Sequence, residues 1–406
     1  MQMPHAQRPR ERRLPLLTES ARIHAGPRAA SSDLSPTPLD SAFDALRIRQ
    51  YFNVLTMARE LADGIHRDAT FLLALRRAVL PLPGDPPIYV DRHPFPRLNA
   101  APQKALQSQR VALLTTGGSG ALSSLVGAAR AFEEAGVRPA MISMCSGAAL
   151  FGFPLAAGRS AEEVAHATLG LSPADLVDVD WEALRKLIPT QARGFSGFLR
   201  GERIDTWYRK WLGDVTLGDL PIPAYAPVWN IERNRVEYIG PRTHPHLPVA
   251  RAVRMAVSLP LFIEAVEDRG HHYYDGGTAD ILPVRPLLDI ETPPDVVVAI
   301  NGFYPKEFDG EDITGWLEKP GSILYAASQV REIQHIQLAR DNLARLRREV
   351  ADVRLISPVP YEVIRGVGLY RQFVDNTMWP EFMRAGRRAT RAALRQGVKT
   401  SIRSLP

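Results

Sequence analysis

The chain has 406 residues, of which 45% are apolar and 23% charged, with a net charge of +6; this is ordinary globular usage and excludes a disordered or fibrous chain. No apolar stretch reaches the roughly 18 residues that a membrane-spanning helix needs, the longest being Ala148 to Gly158 and Phe71 to Leu80. A single cysteine excludes an internal disulfide and any multi-cysteine metal site.

Residues 1–40 are rich in Pro, Ser and Arg without periodicity and predict a flexible tail. No apolar segment of the secretory kind follows the basic start, so the expectation is a cytoplasmic protein, with peripheral contact to an anionic membrane favoured by the positive charge. Phe43, Leu46, Tyr51, Leu55 and Leu61 recur at helical spacing, and the prolines of Pro81 to Pro102 then mark a connector. Residues 41–108 therefore read as a helical extension to a domain spanning 109–406. The basic residues are scattered, with no zinc-finger spacing or aromatic stripe, so no nucleic-acid partner is expected.

The texture changes at Arg110. Val111 to Leu114 is a short apolar run suited to a buried parallel strand; it enters the loop Thr115 to Gly120, and a helical pattern follows to Ala135. A second unit repeats the design, with Ala140 to Ser143 as strand, a tight turn at Met144 to Gly147, and a helix through Ala156. Such alternation predicts an α/β fold with helices on both faces of the sheet. Ser160 to Trp211 reads as helical, broken at Gly194 to Gly201. Strands are expected at Pro223 to Ile231, Arg235 to Ile239 and Asp295 to Ile300. A long helix follows from Ser322 to Val350, with Ile333, Ile336, Leu343, Leu346 and Val350 on its apolar stripe and Arg340, Arg345, Arg347 and Arg348 on a solvated face. The C-terminal part, 320–395, reads as helical.

Three segments carry candidate chemistry. The turn Ser143-Met144-Cys145-Ser146-Gly147 joins a strand to a helix, the setting in which a nucleophile stands proud of the sheet. Framed on Gly147 as the closing glycine of G-x-S-x-G, Cys145 takes the nucleophile position and Ser143 that of the first glycine. Framed one residue later, Ser146 is the nucleophile, with Gly147 beside it and no glycine two residues on. The loop Gly117-Gly118-Ser119-Gly120 aims backbone N–H groups at an oxyanion or a phosphate, but lacks the ending of a P-loop and the spacing of a dinucleotide site. Asp275 closes a strand ahead of Gly276 and Gly277, where a carboxylate can serve as base. Of the ten histidines, His271 shares a strand face with Asp275 and His272 does not. No cluster has metal-ligand spacing, so neither a metal nor another cofactor is expected.

In this order the three segments resemble the patatin-like phospholipase family. The resemblance implies a three-layer α/β fold, an oxyanion loop at Gly117, Gly118, Ser119 and Gly120, and a dyad of nucleophile and Asp275, with Cys145 where the family has serine. Arg254 to Pro260 and Leu282-Pro283-Val284 look like further family segments, and the resemblance spans about Arg110 to Leu288. It implies an acyl hydrolase acting on lipid or other acyl esters through a Cys145 thioester. Two alternatives keep the same site: transfer of the acyl group to an acceptor or carrier, and an inactive acyl-binding protein in which the serine has been lost.

Overall fold

The structure is a computed structural model. It describes residues 93–397 except 172–175, 187–188, 192, 311–313, 319–321, 365–371 and 373–374. The expected tail over 1–40, the helices over 41–80 and the connector up to residue 92 lie outside the described residues.

An eight-stranded sheet organises the domain. Its strands are β1 (Val111–Thr115), β2 (Met141–Ser143), β4 (Ala224–Asn230), β5 (Arg235–Ile239), β7 (Val266–Asp268), β8 (His271–Asp275), β9 (Val296–Ile300) and β10 (Asp352–Ile356). Two short strands, β3 (Gly197–Leu199) and β6 (Leu261–Ile263), pair separately. The order across the sheet is β10-β9-β1-β2-β4-β8-β7, with β5 on β4. Strands β10, β9, β1, β2 and β4 are parallel, whereas β8 runs antiparallel to β4.

The longer helices are α1 (Ser124–Ala135), α2 (Ala149–Ala156), α3 (Ala161–Leu169), α4 (Glu202–Leu212), α5 (Val249–Ala256), α6 (Ser322–Glu349) and α7 (Trp379–Leu394). Strand alternation divides the core between two faces. Val111, Leu113, Ile142, Val296 and Val298 join one cluster with Leu125, Phe132, Phe151 and Met383 of α1, α2 and α7. Ala112, Leu114, Val297 and Ala299 join a second with Ile336, Leu343 and Leu346 of α6. Helices thus cover both faces, giving the three layers of an α/β fold, and each fully buried Leu or Val contributes about 2 kcal/mol. On the first face α1 and α7 meet backbone to backbone: a Cβ on Gly127 would lie 1.8 Å from the Met383 carbonyl oxygen, and one on Gly386 2.0 Å from that of Ser124.

Several expectations shift. Phe95 and Leu106 are buried in the first cluster, so packed structure already precedes Arg110. The C-terminal part holds β10 as well as helices, and β10 extends the sheet beside β9. Ile333, expected on the apolar stripe of α6, is 53% exposed. The stretch read as helical up to Trp211 contains β3 at its glycine-rich break.

Candidate active site

The site forms where three segments converge beyond the ends of β1 and β2, alongside β4. Ser143, the last residue of β2, pairs with Tyr225 near the start of β4. Strand β8 returns along β4 with Asp275 opposite Val228, so its end descends toward the end of β2. The approach is close: a Cβ on Gly276 would lie 2.5 Å from the Pro227 carbonyl carbon, which only glycine allows. The chain then crosses the strand ends. Ile281 accepts a hydrogen bond from the Gly117 N–H (3.0 Å), and the Pro283 carbonyl accepts one from the Ser143 hydroxyl (2.6 Å). Ser143 is therefore a tie between segments.

The elbow itself departs from the Cys145 frame. Cys145 has extended backbone (φ −129°, ψ 142°), and the turn is made at Ser146, whose φ of 53° is left-handed. For a residue with a Cβ this conformation costs roughly 1–2 kcal/mol, and such strain is characteristic of a nucleophile held at a tip. Ser146 is partly exposed and its hydroxyl faces the Asp275 carboxylate closely enough to favour the ionised form. Cys145 has no exposed surface. Its sulfur lies behind the turn, 3.2 Å from where a Cβ on Gly117 would be and 2.8 Å from where one on Gly277 would be, within the cluster that includes Ile281.

Burial pushes the Cys145 thiol well up, and the charges of Asp275 and Asp280 add to this. Stabilisation of a thiolate by the following helix end is thus outweighed by loss of solvent. Asp275 is also buried, and loss of solvent pushes its carboxyl up to about 6, against the lowering effect of the Ser146 hydroxyl and of the hydrogen bond from the Gly277 N–H (2.8 Å). Its own N–H donates to the Ser258 carbonyl at 2.9 Å. Ser258 in turn bonds the buried Arg254 guanidinium, so the Arg254 to Pro260 segment braces the carboxylate strand.

Of the Gly117 to Gly120 loop, Gly117 is already committed, its N–H donating to Ile281. The N–H groups of Gly118 and Ser119 have no acceptor among the described residues. Gly118 has a φ of 148°, which demands glycine. The Gly118 carbonyl presses against the elbow, 2.1 Å from where a Cβ on Gly147 would be, and a Cβ on Gly120 would lie 1.9 Å from Trp379 Nε1. Gly147 is thus required for close approach of the two loops. Met144 occupies the position before Cys145, and its sulfur fills the space that a side chain at Gly152 would take (2.2 Å).

The histidines near Asp275 turn elsewhere. His272 bonds Glu232 through Nδ1 at 2.7 Å, and His271 packs edge-on against Tyr273. Sequence reading also missed Asp280, a buried carboxylate that receives the Tyr238 hydroxyl (2.5 Å) and the Asn342 amide (3.0 Å). These three residues lie far apart in the chain, and no local pattern marks them.

Comparison with known proteins gives a consistent picture. Residues 114–288 match the family model of patatin-like phospholipase. An uncharacterized NTE family protein of Mycobacterium tuberculosis is 29% identical over 195 residues, which is 48% of this chain and 50% of that protein. Lysophospholipase NTE1 of Cryptococcus neoformans is 24% identical over 216 residues, covering 52% of this chain and 13% of that protein. The chain thus spans about half the length of the mycobacterial relative that it matches. Among solved structures, VipD from Legionella pneumophila aligns over 80% of this chain and 72% of that one, with 15% identity and a TM-score of 0.41.

Proposed function

We propose that the chain, whose residues 114–288 match the family model of patatin-like phospholipase, is an acyl ester hydrolase of lipids whose dyad is Ser146 and Asp275. The observation that carries this reading is the left-handed elbow at Ser146, whose partly exposed hydroxyl faces the buried Asp275 carboxylate. Cys145, first in line from spacing alone, gives way because it lies in extended backbone one residue before the turn and burial holds its thiol protonated.

The chemistry follows from these positions. Ser146 Oγ attacks the ester carbonyl while Asp275 takes the hydroxyl proton, and the carbonyl oxygen becomes an oxyanion facing the N–H groups of Gly118 and Ser119. Collapse expels the alcohol, which receives the proton from Asp275, and leaves an acyl ester on Ser146. Water then attacks that ester with Asp275 again as base, which releases the fatty acid and restores the serine. A carboxyl poised near 6 suits both halves, since it is mostly ionised at neutral pH yet can be protonated transiently.

The alternatives lose their support with the cysteine. Acyl transfer rested on a thioester at Cys145, and the inactive acyl-binding reading rested on a missing serine. Substrate in a bilayer must reach the site, and exposed Met378 directly precedes Trp379, which abuts the loop at Gly120. With a net charge of +6, this favours peripheral docking on anionic lipid. Among the described residues no helix is long and apolar enough to cross a membrane.

The test compares the native chain, Ser146→Ala and Cys145→Ala on phospholipid, lysophospholipid, p-nitrophenyl ester and acyl-thioester substrates. Loss of all turnover in the serine variant alone is expected. Turnover that survives Ser146→Ala and disappears in Cys145→Ala would return the nucleophile to the cysteine.

A further inference from the structure

Ser119 holds a side chain where its neighbours Gly118 and Gly120 have none. It is 1% exposed, and its hydroxyl is buried without a hydrogen-bond partner among the described residues. A buried hydroxyl left unpaired loses its bond to water without replacement; Ser124 and Thr390 share that state, but Ser119 lies in the loop that presses on the elbow. Alanine would fill almost the same volume without that loss.

The loop offers a reason. It is wedged between Trp379, against Gly120, and Gly147, against the Gly118 carbonyl. Gly147 immediately follows the elbow serine, and a Cβ there would lie 3.2 Å from the Ser119 carbonyl oxygen. Ser119 therefore sits within a few ångströms of the residue after Ser146 and carries two unsatisfied donors, its N–H and its hydroxyl. In its gauche rotamers a serine directs both donors at one acceptor.

We infer that the Ser119 hydroxyl is a third donor to the oxyanion, a catalytic residue beyond the backbone N–H groups. The inference rests on the dyad reading above. The hydroxyl stays unpaired in the free protein and donates when charge develops on the carbonyl oxygen. Its donation is stronger in the transition state than in the ground state, so it raises turnover more than it tightens substrate binding. No proton is transferred in this step; Oγ–H remains intact and the hydrogen bond is released when the oxyanion collapses.

The experiment sets Ser119→Ala and Ser119→Gly beside the native chain and Ser146→Ala, with steady-state hydrolysis of a soluble p-nitrophenyl ester, covalent labelling by an alkyl fluorophosphonate, and thermal unfolding. Loss of the hydroxyl is expected to lower kcat roughly 10- to 100-fold with KM nearly unchanged. Labelling should slow by a similar factor, because the phosphoryl oxygen occupies the same hole. The unfolding midpoint of Ser119→Ala should stay equal or rise, since an unsatisfied group has been removed. A structural role predicts instead that kcat and midpoint fall together, and that result overturns the inference. So does an unchanged kcat in both variants while Ser146→Ala is dead, which spares the dyad. If Ser146→Ala keeps native turnover, the dyad reading itself fails and the inference falls with it.

Discussion

The Ser146 hydroxyl faces the Asp275 carboxylate across β4, the strand that separates β2 from β8, at the level of Tyr225 to Val228. The pairing depends on the antiparallel return of β8, which brings Asp275 close to the level of the end of β2, and on the left-handed turn at Ser146. Cys145, one residue earlier in extended conformation, has its sulfur buried between Gly117 and Gly277.

That division of roles predicts opposite outcomes for adjacent substitutions. Ser146→Ala should reduce kcat by roughly 10⁴-fold with little change in fold, as removal of a nucleophile does. Cys145→Ala should keep activity within about tenfold and cost about 1–2 kcal/mol of stability through lost packing. Steady-state rates and urea midpoints on the two variants decide it.

Thiol chemistry gives an independent check without any substrate. Because Cys145 is sealed and its thiol pushed up by burial, iodoacetamide should label the native protein far more slowly than a free thiol at neutral pH. Labelling should become rapid once denaturant opens the fold. Mass spectrometry over a denaturant series follows both, and fast labelling of the native state would contradict the buried position.

The carboxyl of Asp275 sets a pH dependence for rate and another for stability. Activity needs the ionised form, so kcat/KM should rise with pH through about 6 and level above it. Stability runs the other way. The folded-state value lies above the ordinary 3.8, so the native protein binds more protons between about pH 4 and 6, and stability falls as pH rises through that window. Asp275→Asn escapes this loss. Its stability relative to the native chain should improve by on the order of 2–3 kcal/mol between about pH 4 and pH 8 while its activity is lost. Urea titrations at the two pH values measure the difference.

Close backbone approach makes two glycine positions sensitive for different reasons. Gly147→Ala places a Cβ 2.1 Å from the Gly118 carbonyl oxygen, and Gly127→Ala places one 1.8 Å from that of Met383. Each should cost about 3 kcal/mol, because backbone must move. Gly147→Ala should also abolish hydrolysis by displacing the oxyanion loop. Gly127→Ala should leave the rate per folded molecule near native, since it separates α1 from α7 away from the dyad.

Much of this was legible in the residues themselves. The apolar runs at Val111 and Val296, the turn after Ser143, the glycine loop and Asp275 ahead of two glycines each have a local signature: alternation, a sharp turn, a loop that needs glycine. Those signatures identified an α/β sheet and the three segments that meet on it. β10 escaped because Asp352-Val353-Arg354-Leu355-Ile356 carries charged residues inside a strand, where Asp352 and Arg354 neutralise one another through a 2.6 Å ion pair. Asp280 escaped because its partners come from β5 and α6.

The sequence determined which short stretch must hold the nucleophile, since only a small-residue turn between a buried strand and a helix can present one. It did not determine which residue of that stretch does so. Glycine spacing favoured Cys145, but that spacing measures where side chains must be absent, and here Gly147 is needed to admit the Gly118 carbonyl and Gly152 to admit Met144. Those clearances are set by elements that meet only in the fold. The sign of φ at Ser146 and the burial of Cys145 are settled by the same contacts, and so tertiary structure alone separates the hydroxyl proposed to react from the buried thiol beside it.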